Sequence, residues 1–188
     1  MSLKETKSKY ALLGLLTLGP MSGYDMRQTI ERSLAHFWNE SYGQIYPMLR
    51  QLAAEGLTSV QAQVQEGRPD RRVYMLTDAG WNALRAWLSQ PVEELSPTRN
   101  ELLLKLFFGQ HGTPTTNAAH VQHYRELQLA LVQHFSGIEA FLRAEHAATA
   151  DQPYWLFTLS HGQHIARALI AWCDETLAAL EVAEKECR

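Results

Sequence analysis

The hydrophobic pattern changes its period twice within the first 90 residues, and this change constrains the fold more than any other feature of the sequence. Up to residue 56, apolar residues recur every three or four positions, which is typical of helices. Residues 57–65 and 71–77 alternate instead, and a turn containing Gly67, Pro69 and Asp70 separates them. Helical spacing returns after Thr77. The pattern predicts several helices, then a β-hairpin, then one more helix.

Local signals set the helix boundaries. Helix 1 is predicted over residues 6–18. Ser22 with Asp25, and Ser41 with Gln44, resemble capping boxes that start helix 2 (23–34) and helix 3 (41–55). Gly56 suits the end of helix 3, and Thr77 caps helix 4 over 78–89. Three helices, a hairpin wing and a following helix form a winged helix-turn-helix, which we assign to residues 1–92.

The second half of the chain, residues 93–188, reads as an all-helical domain after a linker at 96–100. Helices are predicted over 100–108, 116–147 and 154–186, so the fold class is mainly α. Apolar residues step by three and four along the last helix, as in a coiled-coil seam. We expect a second copy of the chain to cover this seam and assign dimerisation to Leu156, Leu159, Ala166, Ile170, Cys173, Leu177 and Leu180. An antiparallel pair within one chain is the alternative.

Composition and short motifs exclude several classes of protein. The 188 residues carry a net charge of −3, divided into +2 for residues 1–90 and −5 for the remainder. The longest apolar run near the N-terminus, residues 10–18, is too short to span a bilayer and precedes no cleavage site. Cys173 and Cys187 form no CxxC pair, and there is no phosphate loop, GxSxG or HExxH motif. We expect a cytoplasmic protein that is not an enzyme and holds no cofactor or structural metal.

Helix 3 carries two helix breakers, Gly43 and Pro47, in its first two turns. An N-terminal turn that approaches a DNA duplex must lack bulky side chains so that its backbone can come close. Its free N–H groups and the helix dipole favour a phosphate there. Hydroxyl and amide side chains then fall at hydrogen-bonding reach of the duplex, and an arginine lies one turn further along as a clamp on the backbone. The DNA-binding candidates on this helix are Ser41, Tyr42, Gln44, Tyr46 and Arg50.

Further DNA-binding candidates lie at the hairpin tip and on helices 1 and 2. Arginines are clustered around the turn, and such a tip follows a phosphate strand or enters the minor groove. The candidates are Arg68, Arg71 and Arg72, with Lys9 and Tyr24 for flanking phosphates. The alternatives are that Tyr24, Tyr42 and Tyr46 are partly buried aromatics, that Arg50 pairs with Glu40 or Glu55, and that Arg71 or Arg72 faces outward without a specific role.

Three segments resemble, in this order and spacing, the signature of PadR-type transcriptional regulators: "GPMSGYDM", "YGQIYPMLRQLAAEGL" and "GRPDRRVYMLTDAGW". The two long helices that follow are similar to the larger subgroup of that family. The resemblance implies a homodimer whose two winged helices bind a palindromic operator in double-stranded DNA. It also implies repression rather than activation and, for many members, release by a small phenolic or aromatic effector.

Three other interpretations stay open. The pairs His120/His123 and His161/His164 could converge on a metal ion and make the protein a metal-responsive regulator. A winged helix can also act as a protein–protein adaptor. An effector could bind among aromatic residues near the domain junction; the candidates are Trp38, Trp81, Trp87, Trp155, Phe107, Phe108 and Tyr154.

Overall fold

The computed structural model describes residues 3–35, 37–38, 42–63, 71–94 and 99–186. The chain divides into two compact units, Met1–Leu95 and Ser96–Arg188. No helix among the described residues is both long and apolar enough to cross a membrane.

The first unit contains four α-helices and a small sheet within its described part. Helix α1 (Leu3–Leu15) ends in a 3₁₀ turn, and α2 (Gly23–Thr29) continues as a π-helical turn through Leu34. Helix α3 spans Tyr42–Ala54 and α4 spans Asp78–Leu88. The strands are β1 (Met21–Ser22), β2 (Thr58–Gln63) and β3 (Arg71–Leu76). The winged helix-turn-helix predicted from the periodicity is therefore confirmed.

The sheet has three antiparallel strands in the order β1–β3–β2, whereas the sequence predicted a two-stranded hairpin. Strand β2 pairs with β3 from Thr58↔Leu76 to Gln63↔Arg71, and the short β1 pairs Ser22 with Val73. The prediction missed β1 because two residues are too few to show an alternating pattern. The third strand fixes the start of α2 against the wing.

Helices α1, α2 and α3 pack around one apolar core in the first unit. Its fully buried side chains include Leu12, Leu13, Met26, Leu49 and Leu52, and Tyr74 and Leu84 join them from β3 and α4. Burying each such side chain stabilises the fold by about 1.5–3 kcal/mol relative to exposing it. The core thus holds α3 by one face and leaves its other face uncovered.

The end of α3 is tied to both the wing and α4. The Leu57 amide donates to the Leu52 carbonyl (2.9 Å) and the Gly56 amide to the Ala53 carbonyl (3.1 Å). With Gly56 at φ +71°, these bonds form a Schellman motif, as the sequence predicted. The Thr77 hydroxyl caps α4 and also donates to the Gly56 carbonyl (2.7 Å). Helix α3, the wing and α4 consequently meet at one point.

The second unit is a helical hairpin with a short helix packed on it. Helix α5 (Glu101–Phe107) is followed by a 3₁₀ turn, then by α6 (Pro114–Glu145) and α7 (Gln152–Glu186). The long helices run antiparallel, as two contacts demonstrate. Arg125 Nε lies 2.6 Å from Asp174 Oδ1 near one end, and Gln163 Nε2 donates to Glu139 Oε2 (2.9 Å) near the other.

The seam of α7 is covered within its own chain. Leu159, Ala166 and Cys173 are buried, and Cys173 packs with Val121 of α6 and Leu102 of α5. The remaining seam residues are partly buried; they are Leu156, Ile170, Leu177 and Leu180. The structure has the antiparallel intrachain pair that was the alternative. Leu159, Ala166 and Cys173 are buried inside this pair, which favours the alternative, and their role in dimerisation stays a prediction.

Candidate nucleic-acid interface

Helix α3 has one buried and one exposed face. Ile45, Met48, Leu49 and Leu52 are buried in the core and repeat at intervals of three and four residues. On the opposite side, the exposed residues of the first three turns are Gly43, Gln44, Tyr46, Pro47 and Arg50. The exposed set is polar apart from its two helix breakers. It therefore offers hydrogen-bonding groups along the first three turns of the helix.

Tyr46 combines packing with exposure. Its side chain is 54% exposed, yet its ring lies against the first residue of α2. A Cβ atom added at Gly23 would lie only 2.6 Å from Tyr46 Cε1. The sequence left core packing and DNA contact open for Tyr46, and this geometry allows both, because the ring rests on Gly23 while the side chain keeps half of its surface in solvent.

Tyr24 lies on the surface of α2. Its side chain is 57% exposed, and its hydroxyl accepts a hydrogen bond from Gln28 Nε2 (3.0 Å). That bond leaves the phenolic proton free to be donated to a phosphate oxygen. Tyr24 thus remains a candidate for a contact beside the main interface.

Arg71 is turned toward the protein. Its Nη2 atom contacts Asp25 Oδ2, and about 39% of its side chain is exposed. Asp25 also closes the capping box with Ser22, as the sequence predicted. Burial by itself would raise the pKa of Asp25, but the hydrogen bonds from Ser22 and Arg71 outweigh burial and hold that pKa below its usual range. Arg71 was predicted to bind DNA, and in the structure its guanidinium is occupied by an intramolecular ion pair.

Among the candidate arginines that the structure describes, Arg72 and Arg50 are available to a phosphate. Arg72 is exposed on β3, and strand alternation turns it away from the side of Arg71. Arg50 is exposed on α3, one turn beyond Tyr46. Neither has an acidic partner among the residues that the structure describes. The alternative pairing of Arg50 with Glu55 does not occur.

Lys9 was predicted to contact a flanking phosphate, and in the structure its side chain is engaged within the protein. Its ammonium group contacts the Glu55 carboxylate, and only 16% of its side chain is exposed. Hydrogen bonds from Lys9 and Gln51 hold the pKa of Glu55 below its usual range. Lys9 therefore joins α1 to the end of α3. The sequence could not indicate this pair because its members are 46 residues apart.

Three DNA-binding candidates lie wholly or partly outside the described residues. Ser41, and with it the second capping box, lies outside the described residues, as does Arg68. Tyr42 begins α3, but its side chain is outside the described part.

Nothing in the described part of the chain requires a glycine at position 43. A Cβ atom built on it meets nothing within 4 Å. Gly80, in contrast, is required, since its Cβ would lie 2.1 Å from the Leu57 carbonyl oxygen. The absence of a side chain at Gly43 thus has no internal cause among the described residues.

The aromatic residues proposed for an effector have local partners. Trp87 stacks on Tyr10 with ring centroids 4.9 Å apart, and the Arg85 guanidinium lies 5.5 Å from the Trp81 ring. In the second unit, Trp155 meets His146 edge to face at 5.5 Å. Phe107 and Tyr154 are 81% and 68% exposed.

The histidine pairs do not converge. His120 and His123 lie near the start of α6, whereas His161 and His164 lie near the start of α7, which is the other end of an antiparallel hairpin. The pairs are therefore separated by about 20 Å along the helices, at 1.5 Å per residue. Among the described residues, no group of three or more His, Cys, Asp or Glu side chains could hold a metal ion.

Sequence reasoning missed two residues that organise this surface, Gly23 and Asp25. It assigned Asp25 to a helix cap and did not foresee its second contact, with Arg71. The segment "SGYD" was the available signal, because a glycine directly after an N-cap indicates a close approach by another part of the chain.

Both halves of the chain match known protein families. Residues 12–86 match the PadR-like family of transcriptional regulators, and residues 98–181 match the virulence activator α C-terminal family. The negative transcriptional regulator PadR of Bacillus subtilis is 38% identical over 102 residues, which span 53% of this chain and 55% of that protein. The sequence match thus covers about half the length of this relative.

Solved structures match over nearly the whole chain. B. subtilis PadR in complex with operator DNA has a TM-score of 0.80 at 26% identity, covering 92% of this chain and 98% of that one. The same protein in complex with p-coumaric acid has a TM-score of 0.74 at 26% identity, with the same coverage. The Vibrio cholerae virulence activator AphA has a TM-score of 0.70 at 28% identity, covering 93% of this chain and 98% of that one.

Proposed function

The chain belongs to the PadR-like family of transcriptional regulators, and from that membership we propose that it is a homodimeric repressor released by a small aromatic effector. In this proposal it binds a palindromic operator through α3 and the wing, in the cytoplasm, and catalyses no reaction. The exposed face of α3 carries the proposal. Gln44, Tyr46 and Arg50 project from a helix whose opposite face is anchored in the core.

The residue types on this face suit a duplex. A glutamine can pair with adenine N6 and N7, whereas arginine and tyrosine side chains hold phosphates. Arg72 extends the cationic surface onto the wing. The relative seen with operator DNA has the same fold over 98% of its length, which supports the same use here.

The outer face of α7 supports the homodimer. Tyr154, Phe157 and Ile165 are 68%, 67% and 50% exposed, and they lie on the side of the helix opposite the buried seam. Tyr154 and Phe157 pack edge to face at 6.0 Å, and the only fully charged residue between them and Trp172 is Arg167. His161 and His164 lie on the same side of the helix, and exposed aromatic side chains of this kind are typical of a protein–protein contact. We assign the outer face of α7 to a contact with a second copy of the chain, because a twofold axis brings the same helix face of two identical chains together.

The effector is proposed by analogy with a relative. B. subtilis PadR has been solved in complex with p-coumaric acid, and this chain matches it with 26% identity. We therefore expect phenolic acids to bind this protein and to lower its affinity for DNA. A tryptophan fluorescence titration measures binding directly. Unchanged fluorescence with every phenolic acid tried counts against an effector of this class.

Selection of bound DNA from a random pool tests the central proposal. Enrichment of a palindrome is the expected result, and a pool that enriches no sequence contradicts it. A salt titration on the enriched duplex separates a DNA-binding protein from an adaptor. Affinity should fall with a log–log slope of about −0.9 for each phosphate contact, whereas an adaptor would show little salt dependence on any duplex.

A second candidate, activation, is favoured by the similarity to the virulence activator AphA. A reporter gene placed behind the enriched operator distinguishes the two. We expect expression to fall when the protein is present and to return when p-coumaric acid is added. Expression that rises with the protein identifies an activator.

A further inference from the structure

We infer that Asp25 and Arg71 are positioning residues for DNA binding: their ion pair fixes the wing against the helix that carries Tyr46, and neither residue contacts DNA itself. This inference rests on the proposed function, since it explains how two separate DNA-binding elements keep one geometry. The contacts involve the segment "SGYD" and the first residue of β3, and we call them the SGYD junction.

The first half of the junction joins α2 to the wing. Three donors converge on Asp25 Oδ2: the Ser22 amide (2.8 Å), the Ser22 hydroxyl (2.8 Å) and Arg71 Nη2. Ser22 also belongs to β1, where it pairs with Val73 of β3. Strand β3 is thus attached to the start of α2 by both its backbone and the Arg71 side chain.

The second half of the junction joins α2 to α3. Gly23, the residue between Ser22 and Tyr24, has no room for a side chain, because the Tyr46 ring occupies that space with Cε1 2.6 Å from a Cβ built on Gly23. The ring that projects from the recognition helix therefore rests on the same turn that Asp25 caps. A movement of this turn relative to the wing would move Tyr46 with it.

Adjacent arginines on β3 have different roles in this scheme. Arg71 turns inward to Asp25, and Arg72 is exposed to solvent without an acidic partner among the described residues. Successive side chains of a strand point to opposite faces, which is why two neighbouring arginines can serve the junction and the duplex separately. They form a matched pair for mutation.

Asp25→Asn gives the most informative result. Removing a negative charge beside a polyanion site should by itself strengthen DNA binding. If the ion pair positions the interface, Asp25→Asn should instead weaken binding to the enriched operator by about tenfold, which is a usual size for the loss of a coupled contact. Arg71→Met should give a similar loss. The double variant should lose no more than either single variant, since all three break the same link.

Two controls separate positioning from other effects. Thr113→Ala removes the N-cap hydrogen bond of α6, which typically costs about 1 kcal/mol of stability, but leaves the SGYD junction intact. It should lower the unfolding temperature and keep the operator affinity. Arg72→Met should weaken binding and reduce the salt slope by about one contact. Affinity that is unchanged or raised in Asp25→Asn, or additive losses in the double variant, would overturn the inference.

A measurement without DNA keeps the inference separate from the proposed function. Fluorotyrosine at position 46 reports the surroundings of that ring by ¹⁹F NMR in the folded full-length chain. We expect its resonance to shift or broaden in Asp25→Asn and Arg71→Met and to stay in place in Arg72→Met. A resonance that all three variants leave unchanged refutes the inference. Failure of the wild-type chain to bind any duplex would refute the proposed function alone.

Discussion

Four glycines in the first unit have three kinds of surroundings. Gly80 meets the Leu57 carbonyl, Gly23 meets the Tyr46 ring, and Gly43 and Gly14 meet nothing within 4 Å. The first two are explained by packing within the chain. Gly43 is left without an internal reason, although it lies at the start of the exposed face of α3. An approaching phosphate backbone is the external reason that the proposed function supplies.

Gly43→Ala tests this explanation. Alanine in a helix is favoured over glycine by about 0.5–1 kcal/mol, so the free energy of unfolding should stay the same or rise. Binding to the enriched operator should weaken, because the new methyl group meets the duplex. Gly14→Ala is the control in α1 and should raise stability without changing affinity. If the Gly43 variant binds DNA as tightly as the wild type, the close approach of backbone and phosphate does not occur.

The ion pair between Lys9 and Glu55 gives a prediction for stability against pH. The pKa of Glu55, like that of Asp25, is lower in the folded chain than its usual value near 4. Such groups stabilise the fold above the usual carboxyl pKa, and the contribution is lost as the pH falls through the lowered value. Stability measured by urea unfolding should therefore decline below about pH 5.

Lys9→Met distinguishes this role from DNA binding. It should flatten the acid part of the stability curve, because the pKa of Glu55 returns toward its usual value. Operator affinity at fixed salt should not change, since Lys9 is largely covered and paired with Glu55. A clear fall in affinity would restore Lys9 to the DNA interface.

At the scale of elements, the sequence predicts what local chemistry determines. The caps Ser22 and Thr77 and the glycine that ends α3 each act within a few residues of their own position, and all three hold in the structure. Strand β1 and the pair of Lys9 with Glu55 depend on contacts between distant segments. The seam of α7 has the same periodicity whether it meets α6 or a second chain, so its partner could not be predicted from one sequence.

Gly80→Ala tests how tightly the elements meet at the end of α3. An added methyl would overlap the Leu57 carbonyl oxygen at 2.1 Å, and the Leu76 side chain at 3.0 Å leaves little room to relax. We expect a loss of about 3 kcal/mol in the free energy of unfolding, at the upper end of overpacking effects. Ala79→Gly, one residue earlier on the exposed side of α4, should cost only about 1 kcal/mol. Equal losses in the two variants would show that the carbonyl can move aside.

At the scale of the whole molecule, α7 has a seam that is buried within its own chain and an outer face that carries exposed aromatic residues. The seam is occupied by α6 and α5 of the same chain. The outer face, with Tyr154, Phe157 and Ile165, is uncovered. A standard interface buries about 800 Å² on each partner, and large aromatic side chains supply about 150–250 Å² each when buried. Tyr154, Phe157 and Ile165 therefore supply part of the apolar area that a dimer contact needs.

Phe157→Glu tests whether the outer face makes the dimer. A carboxylate at the centre of an apolar contact would be buried without a partner, so sedimentation should show a single subunit where the wild type is a dimer. Ala178→Glu adds the same charge on a third side of α7 and should leave the dimer intact. Because two linked binding modules gain roughly 10²–10⁴ in avidity, the Phe157 variant should also lose about a hundredfold or more in operator affinity while its isolated half-site affinity is retained. A Phe157 variant that remains dimeric places the interface elsewhere, and a wild-type chain that is monomeric at high concentration refutes the homodimer itself.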